Sequence, residues 1–417
     1  MGTNQTRKFI AGALLICMVL FSICLVSCKP GNDAEDTAQS ESQLSSLEPL
    51  EQPDAETETT AEPRGPVAGI FFASDYQIQS GWDTPGEQLS GILQAVAKDQ
   101  KQLDEMVLCG DYTNDGHLNN HQLSSEDSIR EIKDIAASYY PNITPEQMIF
   151  VQGNHDKLTE SIASSGLHEY DEYLIYVLNT QEEFPWKQGT TSGSLKKVQD
   201  ASAEMKSCFD ALIKQGETRP VFIVGHVPLH YTARTSSLHK TGDNLYASLI
   251  FDVVNDAGES LDIVYVFGHN HSKGWDCYMG GSSVYKAKGD RVLIPEFKKS
   301  DRWTNRFSEQ TLAFTYLNAG YVGYYSNYGP GESGSAEADQ IVDQTLTGTV
   351  CEIYADKLVL SRYDAEGLHP IGGNGAADPY QGGIDKDLID GSYYSHKTDS
   401  PQTVSRKVRK APADESQ

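Results

Sequence analysis

Basic side chains are scarce in this sequence. Lys and Arg number 33 against 59 Asp and Glu over 417 residues, a formal charge of −26. That argues against general nucleic-acid binding, whose affinity comes from cations placed on phosphates. An anionic substrate stays open, because metal ions gathered in one pocket reverse the local field. From Gly31 to Pro63 there is no Lys or Arg at all, while Asp33, Glu35, Asp36, Glu41 and six further acids alternate with Ser, Thr, Gln and Pro. Such a composition cannot bury a core, so residues 28–66 are expected to form a self-repelling tether ahead of a folded body that begins near Val67. Cysteine is sparse as well. Of the seven, Cys17, Cys24 and Cys28 lie near the amino terminus, and Cys109, Cys208, Cys277 and Cys351 contain no CxxC pair. Cys109 sits inside an apolar run and reads as a small core residue. No internal repeat is present.

Charge is also missing from Phe9 to Val26, an apolar stretch preceded by Arg7 and Lys8. That order is expected of a secretory signal. Its ending, Leu25-Val26-Ser27-Cys28, resembles the lipobox of bacterial lipoproteins. The resemblance implies a signal peptide over residues 1–27, lipid on Cys28, and a body held outside the cytoplasmic membrane. An uncleaved signal anchor is the alternative, and it exports the body equally.

Beyond the tether, apolar runs alternate with amphipathic segments. Apolar positions recur at three and four residues in Gln88–Gln102 and Asp127–Tyr139, and Leu195–Gln215 and Asn244–Asn255 read as further helices. This is βαβ-like order. After Thr311 the pattern turns strand-like, and TGTVCEIY and KLVLSRYD, joined at Ala355-Asp356, predict a hairpin. Residues 365–397, rich in Gly, Asp and Tyr, are expected to be irregular loops, and residues 401–417 a solvated tail.

Five apolar runs share one kind of ending: IFFASDYQ, MVLCGD, IFVQGNHD, VFIVGHVPLH and IVYVFGHNH. Each stops at Gly or Ser and then sets down Asp, Asn or His. One such ending is ordinary turn chemistry. Five in order are not, since the carboxyl ends of parallel strands open onto one crevice. Together they offer Asp75, Asp111, Asn154, His155, His226, His269 and His271. Aspartate and neutral imidazole are ligands of first-row transition metals, and two metals need a shared ligand plus private ones.

These five blocks resemble the calcineurin-like metallophosphoesterases, whose signature runs DxH, GD, GNHD or GNHE, GH and GHxH. The resemblance spans about residues 67–275 and implies an α/β fold, a layered α-β-β-α sandwich with two mixed sheets, over a catalytic domain of about residues 67–400. It further implies two divalent metal ions (Mn, Fe, Zn or Mg). Asp75, Gln77, Asp111 and His271 would hold one ion, and Asp111, Asn154, His226 and His269 the other, with Asp111 bridging. His155 becomes the catalytic residue that protonates the leaving oxygen, with Asp156 to orient it. The implied reaction is hydrolysis of a phosphoester, mono or di, by metal-bound hydroxide. One position departs from the pattern, since Gln77 stands where DxH has histidine. An amide oxygen is a harder ligand than imidazole, so Gln77 either holds the first metal with a bias toward Mn²⁺ or Mg²⁺ or only hydrogen-bonds beside it. The competing reading is a catalytically weak or inactive surface binding protein on the same fold.

Overall fold

Alternation decides which way each strand faces. In β1 (Ala68–Ala73), Phe71 and Ala73 turn to one side, and Ile70 and Phe72 to the other, as the two-residue period of a strand requires. All of these are buried, so β1 is covered on both faces. The computed structural model describes residues 65–77, 85–113, 124–179, 192–229, 247–269, 285–295, 307–323, 346–369 and 400–407, all within the unit Ala61–Gln417.

The first sheet runs β15 (Gly367–His369), β14 (Lys357–Asp364), β13 (Thr347–Ile353), β1, β2 (Glu105–Leu108), β3 (Met148–Phe150), with β12 (Gly320–Tyr321) on β13 and β16 (Gln402–Ser405) on β14. Here β1, β2 and β3 are parallel, and β13 and β14 form the expected antiparallel hairpin. The second sheet runs β4 (Gly166–Glu169), β5 (Leu174–Leu178), β6 (Val221–Gly225), β7 (Ile263–Phe267), β11 (Thr315–Asn318), β8 (Tyr285–Lys286). Its four central strands are parallel and its two edges antiparallel. A separate ribbon pairs β9 (Arg291–Pro295) with β10 (Phe307–Thr311).

The inward faces of the two sheets meet in one apolar layer that includes Phe72, Val107, Ile149, Ile175, Phe222 and Val264. The Phe72 and Phe222 rings touch across it with centroids 5.6 Å apart. Burying such a ring contributes on the order of 2–3 kcal/mol. On the outside of the first sheet lie α1 (Pro85–Lys98) and α2 (Ser125–Tyr139), and on the outside of the second α3 (Ser192–Gln215) and α4 (Ala247–Gly258). Each helix buries one stripe: Leu89, Ile92, Leu93 and Val96 on α1, and Val198, Met205, Phe209 and Leu212 on α3. Ser124 and Asp127 start α2 with a reciprocal pair of 3.2 Å bonds to each other's backbone N–H. The result is the expected α-β-β-α order with two mixed sheets.

Two expectations are corrected. The tail is not wholly solvated, because β16 adds to the edge of β14 and Arg406 and Lys407 bond carbonyls of the body. The folded body therefore extends past residue 400 to at least Lys407; residues 408–417 lie outside the described ones. Residues 367–369 likewise form a short strand rather than loop. Cys109 is a buried core residue as expected, and Cys109, Cys208 and Cys351 are all free thiols. Cys277, the signal stretch and residues 28–64 of the tether lie outside the described residues. No described helix is long and apolar enough to cross a membrane.

Candidate metal centre

The five polar endings are shared between the two sheets. Those of β1, β2 and β3 come from the first, and those of β6 and β7 from the second. Packing the sheets face to face brings the carboxyl ends together along one edge. At that edge the backbone leaves the extended region, for Asp75, Gln77, Asp111 and His269 have φ of 54°, 39°, 59° and 67°. Non-glycine residues rarely accept this conformation, and four of them at one edge mark a functional constraint. Gly110, at φ 90°, is needed there: a Cβ on it would strike the Gly153 backbone and the His226 ring, and a Cβ on Gly153 would collide with Asp111. These two glycines let the β2 and β3 endings touch.

Hydrogen bonds then stitch the endings into one unit. The backbone N–H groups of Asp75 and Gln77 donate to the carbonyls of Gly110 and Asp111, both at 2.9 Å, and that of Gly268 to the His226 carbonyl at 2.9 Å. The His269 N–H donates to Asp75 Oδ2 at 2.9 Å, and the His155 N–H to Asp111 Oδ1 at 2.9 Å. Asp156, expected to orient the His155 ring, has a backbone role in the structure. Its carboxylate accepts the N–H groups of Asp111, Tyr112 and Gly153 at 2.7–2.8 Å and the Ser125 hydroxyl at 3.2 Å. It clamps the β2 ending to the β3 ending. Burial and the neighbouring Asp111 carboxylate push Asp156 up to about 7, against the pull of its donors.

At the centre, His226 is fully buried and its Nδ1 lies 2.7 Å from the Cys109 carbonyl. A carbonyl only accepts, so Nδ1 carries a hydrogen and Nε2 is the free ligand atom. That Nε2 faces Asn154 Oδ1 at 3.0 Å and Asp111 Oδ2 at 3.1 Å. Three acceptors converging in a buried space call for a cation, either a proton or a metal ion. Without a metal the proton fills that place: burial disfavours the charged ring, but the Asp111 carboxylate, then Asp75 and the Cys109 carbonyl, bring His226 up to about 9. Burial likewise opposes charge on Asp111, and His226 and His155 override it and hold the carboxyl well below its usual range. Candidate ligand atoms of Asp111, His226 and His269 all lie within 4.8 Å of one another. Oxygen and imidazole donors at that spacing fit a divalent transition metal.

The structure thus brings Asp111, Asn154, His226 and His269 around one point, ties Asp75 to the His269 backbone and sets half-buried His155 beside Asp111. Gln77 is buried, and its Nε2 donates to Asp111 Oδ2 at 3.2 Å. His271 lies outside the described residues. Some contributors were not singled out from the sequence. Asn179 ends the parallel strand β5, accepts the Gln152 N–H at 3.0 Å and donates to the Ala163 carbonyl at 2.9 Å. The run LIYVL followed by Asn shares the polar ending of the other five strands but lacks their Gly or Ser stop. Val322 and Gly323 support the β1 ending through the carbonyls of Ser74 and Asp75, and nothing in their local sequence announces it.

Residues 70–273 match the model of the family described as calcineurin-like phosphoesterase. That match spans just under half of the chain, and the activity its description names is hydrolysis of phosphoester bonds. Solved structures similar to the chain include a dimetal phosphatase from Danio rerio, at 10% identity and a TM-score of 0.43, covering 73% of this chain and 98% of that one. A single mutant of Vps29 from Entamoeba histolytica is similar at 10% identity and a TM-score of 0.30, covering 81% and 99%. A conserved protein of Streptococcus pneumoniae, titled a predicted phosphoesterase, is similar at 8% and 0.28, covering 81% and 98%. Likenesses this distant say nothing of the chemistry. No curated protein matches the chain.

Proposed function

We propose that the chain hydrolyses phosphoesters at a dinuclear metal centre held by Asp75, Asp111, Asn154, His226, His269 and His271, with Gln77 against the bridging Asp111. The convergence of His226 Nε2, Asp111 Oδ2 and Asn154 Oδ1 on one buried point carries this reading. Divalent ions bound there supply Lewis-acid polarisation of phosphoryl oxygens and a nucleophilic water at neutral pH. The chain's own residues do the rest. The Nδ1–H of His226, given to the Cys109 carbonyl, fixes the tautomer that presents Nε2. Asp111 Oδ1 accepts the His155 backbone N–H, and Oδ2 turns inward. His155 stands half-buried next to that carboxylate, where its imidazole gives a proton to the departing oxygen.

The same reading places the body outside the cytoplasmic membrane, tethered by lipid on Cys28 through an acidic linker. The Leu25 to Cys28 sequence supports it. Lipid labelling that persists in Cys28→Ser would remove that part and leave the chemistry untouched.

The test of the chemistry is a screen of the purified chain with Mn²⁺, Zn²⁺, Fe²⁺ or Mg²⁺ against generic phosphomonoesters, phosphodiesters and amides. Turnover of a phosphoester, abolished together with metal loading in Asp111→Ala, is the expected result. Turnover of amides alone, or full metal occupancy in Asp111→Ala, overturns it. Metal binding without turnover of any substrate favours the surface binding protein, to which the Gln77 departure also points.

A further inference from the structure

At the other end of the strands lies a cavity of about 300 Å³. It opens between the amino-terminal ends of β7 and β11 in the second sheet and the β14–β16 edge of the first. Its walls include Ile263, Tyr285, Phe314, Leu358 and Val404. Val264 in its lining lies five positions before His269, roughly 15 Å along the strand, so it is a different place from the proposed metal centre.

Its lining carries cations on an acidic chain. Lys288 and Arg406 line it, and Lys407 follows directly. None of the three forms an ion pair among the described residues. Lys288 and Lys407 both give their ammonium groups to the Gly258 carbonyl at 2.9 Å, the terminal residue of α4. Arg406 donates from Nη1 to Tyr354 O at 2.6 Å and from Nη2 to Thr218 O at 2.8 Å, and its Nε–H is buried without a hydrogen-bond partner. The one acid among the described lining residues is Asp262, and its Oδ2 accepts the Lys407 N–H at 2.7 Å. Lys288 and Arg406, held by neutral carbonyls, have no ion pair among the described residues to compete with an incoming anion. An apolar chamber with a few polar groups at its mouth is the usual build of a small-molecule site.

We infer that this cavity binds a single-chain amphiphile, an apolar chain of about eight carbons carrying one terminal carboxylate or phosphate, with the chain against Phe314, Leu358 and Val404 and the anionic head at Lys288 and Arg406. This inference does not depend on the phosphoesterase reading. Of the two possible heads, Arg406 suits either, since its planar fork matches carboxylate and phosphate alike.

The test uses the full chain in a neutral detergent and a photoactivatable diazirine analogue of octanoate, with adducts located by mass spectrometry. Adducts on cavity residues such as Tyr285, Phe314 or Val404, reduced at least tenfold by excess octanoate or octyl phosphate but not by octanol, are expected. The anion that competes at the lower concentration identifies the head. The double variant Lys288→Gln, Arg406→Gln should lose at least fivefold in labelling, and Val404→Trp should block it by filling the chamber from the half-buried β16 wall. A cooperative urea unfolding midpoint close to that of the parent chain serves as the folding control. If Val404→Trp fails that control, the double glutamine variant decides. Adducts elsewhere, octanol competing as well as octanoate, or unchanged labelling in a folded double variant would overturn the site.

Discussion

At residue 77 an amide stands where the family pattern carries an imidazole, and it is the nitrogen end that faces Asp111. A carboxylate can only accept, so this orientation is fixed by chemistry. The Gln77 oxygen is therefore turned away from Asp111 Oδ2, and the side chain acts on the carboxylate by orienting it. Gln77→Ala should weaken metal binding by roughly 10–100-fold, the usual cost of losing a group that orients a ligand. Gln77→His should raise affinity most for Zn²⁺ and least for Mg²⁺, because imidazole favours borderline ions. Calorimetric titration of the three forms decides it, and identical binding in all three would remove Gln77 from the centre. His155→Ala, by contrast, should leave metal content unchanged and lower turnover by roughly 10²-fold or more. Asp156→Asn sets an N–H against N–H donors that a carboxylate oxygen now satisfies. It should cost about 2–3 kcal/mol of stability and loosen metal binding too, read from denaturant midpoints and metal analysis.

Among elements, what the sequence made legible was the local pattern. Helices were readable from the three- and four-residue spacing of Leu89, Ile92, Leu93 and Val96, and strands from apolar runs that stop at a glycine. The candidate metal centre was legible for the same reason, since Asp111, Asn154, His226 and His269 sit immediately after those stops. Partnership between elements was not legible. Nothing local distributes the five endings over two sheets, and nothing in QTVS announces that β16 will cover the edge of β14. Its flanking Arg406 and Lys407 look solvated until the carbonyls of Tyr354, Thr218 and Gly258 are placed around them. Asp156 clamps backbone groups of two strand endings, a role that its place beside His155 in the sequence does not announce. A chain ended at Pro401 loses the β16 ladder and those bonds. It should be destabilised by roughly 3 kcal/mol or more, seen as a lower urea midpoint, while its metal affinity stays unchanged. Unchanged stability would mean the strand contributes nothing to the edge it covers.

Across the whole molecule, the two ends of the parallel strands do different work, and pH separates them. The carboxyl ends carry the proposed metal centre, where charged and hydrogen-bonding groups converge. Near the amino end of β2, six residues and roughly 20 Å from Asp111, Glu105 is buried with little to hold its charge. The Tyr170 hydroxyl donates to Oε1 at 2.9 Å and the Tyr173 hydroxyl to Oε2 at 3.3 Å, with the two rings stacked at 4.7 Å. Burial outweighs both tyrosine donors, and with Asp104 nearby it pushes Glu105 from an ordinary 4.5 up to about 7. Below the ordinary value, folded and unfolded chains both hold the proton and this group costs nothing. As pH rises through that window the unfolded chain ionises first, so stability falls, levelling off above about 7 with roughly 3 kcal/mol lost. Glu105→Gln keeps an oxygen for one tyrosine and never ionises, so it escapes that loss. The gap in urea midpoint between variant and parent should therefore be smallest near pH 5 and widen up to about pH 8, while other carboxylates cancel in the difference. A gap that stays constant over that range would mean Glu105 does not change its charge there. Metal content at neutral pH should be the same in both proteins, because the substitution leaves the carboxyl-terminal edge untouched.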